Sequence, residues 1–130
     1  MKKAQFILFI LTAVLFSCSD EKDGDWDDNI GLSQKEVQFN ASENSIVITT
    51  KGEGWWINGV SLNGETDFEQ TENSDGDFLV DENEFMIERR NSKELYIEMS
   101  PNTTGTERKL IIGLQNGNYF DGITIVQSAE

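Results

Sequence analysis

The sequence contains no histidine and a single cysteine, Cys18. Histidine is the commonest general base near neutral pH and the commonest metal ligand, so its absence removes most familiar designs of catalytic and metal site. One cysteine can form neither an internal disulfide nor a thiolate pair for metal or redox chemistry. The fold must therefore be held together by packing and hydrogen bonds.

Basic residues are also scarce. Ten Lys and Arg stand against 24 Asp and Glu, which gives a formal net charge of −14. Such a surface repels nucleic acid and anionic lipid, and no basic patch interleaved with aromatic residues offsets the repulsion. We therefore expect no nucleic-acid partner, and we expect other partners to be neutral, cationic or bound through a divalent ion.

The long apolar run of this chain lies at its start. It extends over 6–16, behind two lysines, and it is too short to span a bilayer. The segment 15–18, Leu-Phe-Ser-Cys, resembles the lipobox of bacterial lipoproteins, in which the cysteine becomes the first residue and carries acyl chains. The resemblance implies a lipoprotein signal peptide over 1–17 and a membrane anchor on Cys18. A plain secretory signal with an incidental cysteine is the alternative.

An acidic tether is expected over 18–29, behind the lipidated cysteine. Six of the ten residues from Ser19 to Asp28 are acidic, and a segment this charged does not fold alone. It resembles the export signal of Bacteroidetes surface lipoproteins. The resemblance implies a place in the outer membrane, facing the cell surface, with a periplasm-facing position as the alternative.

The remainder, 30–130, is expected to form one all-β domain, because apolar and polar residues alternate in short blocks and helical spacing is nearly absent. The expected strands are Leu32 to Phe39, Ser45 to Thr50, Trp55 to Leu62, Glu84 to Arg90, Glu94 to Met99, Arg108 to Leu114 and Tyr119 to Gln127. Turn residues separate these blocks, and Asn116-Gly117 is the strongest hairpin signal. Seven short antiparallel strands predict an immunoglobulin-like β-sandwich, with a small barrel as the alternative.

The domain resembles a BACON domain, the Bacteroidetes-associated carbohydrate-binding module that is often N-terminal. The residues that carry the resemblance are Leu32-Ser33, Trp55 and Trp56, the turn from Asn102 through Gly105 to Arg108, and the closing strand Ile123-Thr124-Ile125-Val126-Gln127. The resemblance covers nearly all of 30–129 and implies a module that binds carbohydrate or serves as a spacer. The chain departs from the family pattern by a long acidic insertion at about 64–84, where relatives have a shorter link and another tryptophan.

Three aromatic residues, Trp56, Tyr119 and Phe120, are candidates for contact with a sugar. Trp55 and Trp56 are neighbours in one strand, so their side chains must point to opposite faces. Trp55 shares its side with Ile57 and is expected in the core, which leaves Trp56 outside, where an indole can stack on a sugar ring. Tyr119 and Phe120 follow the hairpin, and one of them is expected to face out. The alternative for Trp56 is that the insertion folds over it.

The insertion carries many carboxylates and is a weak candidate for a calcium site. Asn73, Asp75 and Asp77 with Glu82 resemble half of an EF-hand loop, which uses alternating oxygen ligands and a terminal Glu. The alternative is a solvated loop, part of which packs onto the sandwich through Phe68, Phe78, Leu79 and Phe85.

Catalysis is not expected. A glycoside hydrolase can work with two carboxylates, but it needs a cleft and a carboxylic acid of raised pKa, which a domain of this size rarely encloses. Two functions remain: a surface lipoprotein that captures glycans or mucin, and a structural or protein-interaction component without a sugar site. The sequence assigns no oligomeric state.

Overall fold

A computed structural model describes residues 27–72 and 77–130. In that part of the chain nine strands form two sheets, of four and five strands, and no helix is present. The strands are β1 (Glu36–Phe39), β2 (Asn44–Thr49), β3 (Trp56–Leu62), β4 (Thr71–Glu72), β5 (Phe78–Asp81), β6 (Phe85–Arg90), β7 (Glu94–Met99), β8 (Arg108–Asn116) and β9 (Tyr119–Gln127). Since these ranges hold no helix, none of them holds a helical segment suited to crossing a membrane.

The two sheets face each other as a β-sandwich, as predicted. The first sheet has the order β1-β9-β8-β3 and the second has the order β2-β7-β6-β5-β4. No strand pairing joins the sheets within the described ranges, so the sandwich, and not the barrel, is the architecture. All pairings are antiparallel except that of β1 with β9, which is parallel. The prediction of antiparallel strands throughout was wrong at this edge.

The core lies between the sheets and follows from the alternation in the sequence. Along β7 and β8 every second residue is buried, as a strand with one face on a core requires. The apolar residues that alternate along the predicted strands form this core: Ile48, Leu95, Ile97, Met99, Leu110, Ile112, Leu114, Ile123 and Ile125 are fully buried, and Ile46 is partly buried against them.

The chain passes from the second sheet to the first within 32–39, which was predicted to be a single strand. Ser33 binds the edge of the second sheet, since its N–H donates to the Thr49 carbonyl at 2.9 Å. Two residues later the Lys35 carbonyl accepts from Thr124 N–H at 2.8 Å, in the first sheet. The backbone from Leu32 to Lys35 therefore bridges the sandwich, and the strand begins only at Glu36.

The insertion contributes strands to the second sheet. β5 pairs with β6 and buries Phe78 and Val80, so this part is a strand where none was predicted. Phe68 packs edge-on against Phe85, with ring centroids 5.0 Å apart. The expectation that part of the insertion packs onto the sandwich is confirmed.

Three buried polar residues near one end of the sandwich form hydrogen-bond networks, and we call them the latch: Asn102, Arg108 and Gln127. Asn102 is fully buried, and its Nδ2 donates to the carbonyls of Thr106 (2.8 Å) and Ser128 (3.1 Å). Gln127, also fully buried, donates from Nε2 to the Ser100 carbonyl at 2.8 Å and accepts from Arg108 at 3.4 Å. The latch thus ties the loop before β8 to the end of β9.

Candidate functional site

The two adjacent tryptophans lie on opposite sides of β3 and its approach. Trp55 retains 1% of its accessible surface, donates from Nε1 to Thr50 Oγ1 at 2.9 Å, and carries the Arg89 guanidinium 4.1 Å from its ring centroid. Trp56 retains 43% and faces outward from the first sheet. The predicted assignment of the two side chains is confirmed, and the insertion leaves Trp56 exposed.

A row of three side chains crosses the outer face of the first sheet. Trp56 pairs with Gln115 on β8, and Gln115 pairs with Phe120 on β9. Directly paired residues point to the same face of a sheet, so the two aromatic side chains flank the amide of Gln115. Phe120 retains 59% of its surface. We call these three residues the aromatic row.

A β-bulge in β3 places an amide beside the aromatic row. The register with β8 shifts between Ile57 and Gly59, so Asn58 is the extra residue. Its side chain lies over Gly113, where the Oδ1 atom occupies the space that a Cβ would need. The bulge therefore presents a hydrogen-bonding group on the same face as Trp56.

Glycines form the second row of this face, next to the aromatic row. Gly59 pairs with Gly113, and Gly113 pairs with Gly122, so adjacent positions on three strands lack side chains. The third row consists of Ser61, Ile111 and Thr124, which are also paired across the strands. An open depression of about 450 Å³ lies here, lined by Asn58, Gly59, Val60, Ser61, Thr66, Ile111 and Gly113.

The three rows carry no ionisable side chain, although the protein is strongly acidic. Two charged side chains lie on the same outer face beside the rows: Lys109, two residues from Ile111 on β8, and Glu36, which pairs with Thr124. The outer face of the second sheet differs, since its central strands present Glu88, Arg90, Glu94 and Glu98 around Tyr96. The two faces of the sandwich therefore suit different partners.

Tyr119 lies on the other side of the sheet from Phe120. It packs partly against the core, and its hydroxyl donates to Asp121 Oδ2 at 3.2 Å. Burial, followed by the neighbouring Asp121 carboxylate, raises the pKa of Tyr119. Of the two aromatic residues after the hairpin, only Phe120 joins Trp56 on the outer face.

Asp77, one of the two described residues of the calcium candidate, already interacts with other residues of the protein. The Asp77 carboxylate accepts from Ser92 N–H at 3.3 Å and lies 3.9 Å from Arg89 Nε. Within the described ranges, no three acidic, Cys or His side chains cluster as metal ligands. Asn73 and Asp75 lie outside these ranges, while Glu82 closes a turn through its backbone N–H to Phe85. The calcium site stays a prediction.

The chain enters the sandwich beside the aromatic row. Asn29 and Asn116 exchange side-chain to backbone hydrogen bonds at 3.3 Å, and Asn116 directly follows Gln115. The Asp28 carboxylate accepts from the N–H groups of Ile30 and Gly31, and the bond from Gly31 is the main reason that its pKa is lowered. Cys18, the signal peptide and most of the acidic tether lie outside the described residues.

Sequence reasoning missed Asn58, Gln115 and the glycine row. An isolated glycine inside a strand indicates a bulge or a close approach, and this signal was present at Gly59, Gly113 and Gly122. Their alignment depends on strand register, however, which the local pattern of one strand does not give.

No family model matches the sequence. No curated protein matches it either. Among solved structures, the fold is similar to that of a Bacteroides thetaiotaomicron protein solved by NMR, with a TM-score of 0.65 and 22% identity over 87% of this chain and 96% of that one. A Bacteroides ovatus GH5 xyloglucanase, solved with a XXXG heptasaccharide, gives a TM-score of 0.48 and 17% identity over 78% of this chain and 19% of its own. The first likeness shows the fold alone.

Proposed function

We propose that this chain is a non-catalytic lipoprotein of the outer membrane, anchored through Cys18 and facing the cell surface, whose BACON-like sandwich binds a glycan. The anchor and the location rest on the lipobox-like segment and on the acidic residues behind it. The glycan site rests on the outer face of the first sheet.

The observation that carries the glycan proposal is the aromatic row. Trp56 and Phe120 offer flat apolar surfaces on which sugar rings stack, and Gln115 between them offers a donor and an acceptor to hydroxyl groups. A glycan-binding protein needs this combination because a sugar presents an apolar ring face edged by hydroxyl groups.

The charge distribution supports the same proposal. An acidic protein whose aromatic and glycine rows carry no charge is suited to a neutral ligand at those rows, since polyanions are repelled by the whole molecule. The face is also open and shallow, which suits binding better than it suits an enclosed reaction. No histidine is present to act as a general base.

A broad array of mucin-type and plant glycans tests the proposal, probed with soluble protein of residues 19–130. This segment holds every strand of the described fold. We expect binding that Trp56→Ala reduces at least about tenfold, the loss of one stacked ring. Val47→Ala is the matched control, because Val47 is equally exposed, at 48%, on the opposite sheet.

Chelator is included in a parallel array to test the acidic insertion. Loss of binding in chelator would assign the calcium prediction a role in glycan capture. Binding that survives chelator, together with the loss in Trp56→Ala, would place recognition on the aromatic row alone. If protein that unfolds cooperatively on heating binds no glycan on the array, the glycan proposal is contradicted.

A spacer or protein-interaction component is the second candidate, and the path of the chain favours it. Asn29 enters at the hairpin end of the first sheet, whereas Ser128 leaves at the other end, where its N–H donates to Phe39. The nine residues of β9 separate these ends by about 30 Å. If the protein is a spacer, we expect no binding on the glycan array. We also expect that an epitope tag added after Glu130 is accessible to antibody on intact cells.

A further inference from the structure

We infer, on the basis of the proposed glycan binding, that the ligand is an extended neutral glycan held by its internal units in a trough that runs across the strands. The trough consists of the glycine row, Gly59, Gly113 and Gly122, between the aromatic row and the row of Ser61, Ile111 and Thr124. The inference specifies the class of ligand and its direction on the sheet.

The floor of the trough is open backbone at Gly59, which has nothing within 4 Å of the position of a Cβ. At Gly113 the floor is the side-chain amide of Asn58, which lies over the backbone. On β8, Gln115 and Ile111 are four residues apart, which separates the two walls by about 13 Å along the strand. That width accepts one sugar chain lying across the strands, in contact with a wall on either side.

Neither end of the trough is closed by a strand in the described part of the chain. β3 is the edge of its sheet, so the trough opens outward beside Gly59. At the other end, β1 pairs with β9 only from Thr124 onward, so no strand extends the sheet beside Gly122. A site open at both ends binds internal units of a chain and does not require a chain terminus.

The chemistry of the walls selects a neutral ligand. Asn58 and Gln115 offer amides, and Ser61 and Thr124 offer hydroxyl groups, which exchange hydrogen bonds with sugar hydroxyls. No residue of the three rows is cationic, and the carboxylate of Glu36, which pairs with Thr124 at the end of the third row, would repel a uronate or a sulfate. Lys109 lies two residues beyond Ile111, outside the trough. Thr66, from the insertion, adds a further hydroxyl-bearing residue to the lining.

The spacing of the aromatic row sets a minimum length for the ligand. Trp56 and Phe120 are separated by two strand spacings, about 10 Å between backbones. A single pyranose ring is too short to contact both side chains. Three consecutive sugar units in the trough would place one ring against each aromatic side chain and one beside Gln115.

Calorimetric titration of residues 19–130 tests this inference. The probes are oligosaccharides of one to six units from neutral β-1,4-glucan, β-1,4-mannan and β-1,4-xylan, each also with its reducing end reduced, and oligogalacturonate as the anionic comparison. We expect affinity for at least one neutral series to rise about tenfold, or 1.4 kcal/mol, from one unit to three. Reduction of the hexasaccharide, which opens only its terminal ring, should leave its affinity within about twofold, since the site contacts internal units.

Gly59→Leu tests the trough separately from the aromatic row. Its side chain would enter open space, so the fold should persist while affinity for the hexasaccharide falls at least about tenfold. Val47→Ala, on the other sheet, should leave affinity within about twofold. Thermal unfolding of each variant verifies the fold, and the length series on the unaltered protein does not depend on any variant.

The outcomes separate the two proposals. Tightest binding to a monosaccharide, dependence on a free reducing end, or preference for oligogalacturonate would overturn the trough. Loss of binding in Trp56→Ala but not in Gly59→Leu would also overturn it, while the glycan-binding aromatic row would stand. Absence of binding to every neutral and anionic glycan on the array would overturn both.

Discussion

Trp55 and Trp56 are one bond apart in the chain, yet their surroundings have almost nothing in common. Trp55 lies in the core between Arg89 and Phe78, with its indole N–H bound to Thr50. Trp56 lies on the outer face of the sheet, where it contributes surface to a ligand more than contacts to the fold. Alternation along a strand assigns these two tasks to adjacent residues.

The first prediction contrasts the two tryptophans. Trp55→Ala should lower the free energy of unfolding by about 3–5 kcal/mol, because a large cavity forms and the Thr50 hydroxyl and the Arg89 guanidinium each lose a partner. Trp56→Ala should change the free energy of unfolding by less than about 1 kcal/mol. Urea titration measures both. Equal losses in the two variants would show that Trp56 is also a core residue.

A second prediction concerns Asp28 and pH. Its pKa is lowered in the folded protein, chiefly by the hydrogen bond from Gly31, so its stabilising effect is complete above the pKa of the unfolded chain. That effect is lost as the pH falls through the lower pKa of the folded state.

The measurement is the difference in unfolding free energy between the protein and Asp28→Asn, which keeps an acceptor oxygen but does not titrate. The unaltered protein should be the more stable above pH ~5, and the difference should disappear by pH ~2. A difference that stays constant over this range would show that Asp28 does not titrate with folding. Comparison of the two proteins cancels the protonation of the other carboxylates.

At the scale of elements, the latch decides how the sandwich is closed at one end. Asn102 binds two carbonyls through Nδ2 and accepts from Thr104 through Oδ1, so one buried amide fixes the loop before β8. Gln127 repeats this arrangement from the end of β9, toward Ser42 and Ser100. Asn102 and Gln127 therefore hold the fold together at the end of β9, away from the hairpin end where the aromatic row lies.

We predict that Asn102→Ala costs about 2–4 kcal/mol of unfolding free energy, because it removes a fully buried amide and its hydrogen bonds to the carbonyls of Thr106 and Ser128. Gln38→Ala removes an exposed amide from β1 and serves as the control, with an expected change below about 0.5 kcal/mol. Denaturant titration gives both values. A change below about 1 kcal/mol in Asn102→Ala would mean that water replaces the lost bonds.

Gly52 provides a prediction about the entry of the chain. A Cβ on Gly52 would collide with the backbone carbonyl of Asn29, which cannot move without displacing the buried Ile30. Gly52→Ala should therefore destabilise the protein by about 1–3 kcal/mol. Gly59→Ala, where the space is open, should be neutral or slightly stabilising. Melting temperatures of the two variants check the contrast, and a shift of the same size in both would contradict it.

The sequence predicted the elements well where alternation was long. All seven predicted strands exist, and β7 and β8 alternate for at least six residues. β5 was missed because its four residues hold only two buried side chains, Phe78 and Val80, inside an acidic run. The parallel pairing of β1 was missed because it depends on the order of strands in the sheet, which no local pattern carries.

At the scale of the whole molecule, the sandwich has two unlike faces. One surrounds Tyr96 with ionisable side chains, and the other contains the aromatic and glycine rows, which carry no charge. The exposure of Trp56 could be predicted from alternation alone. The alignment of Trp56 with Gln115 and Phe120 could not, because it depends on the hairpin register.

The outward position of Gly59 could not be predicted from alternation either, because it depends on the bulge at Asn58. In a strand without a bulge, Gly59 lies two positions after the inward-facing Ile57 and would also face the core. With it, Gly59 faces outward in register with Gly113. One inserted residue thus converts a strand of ordinary alternation into the floor of the trough.

The most direct test of the central claim is a map of amide chemical shifts in isotope-labelled protein of residues 19–130. A neutral hexasaccharide of the best-bound series is added in steps. We predict that the largest changes fall on the Trp56 indole N–H and on the amides of Gly59, Gly113, Gln115 and Phe120, while the amides around Tyr96 keep their shifts. Changes centred on the second sheet, or none at the highest glycan concentration, would contradict the claim that the outer face of the first sheet binds glycan.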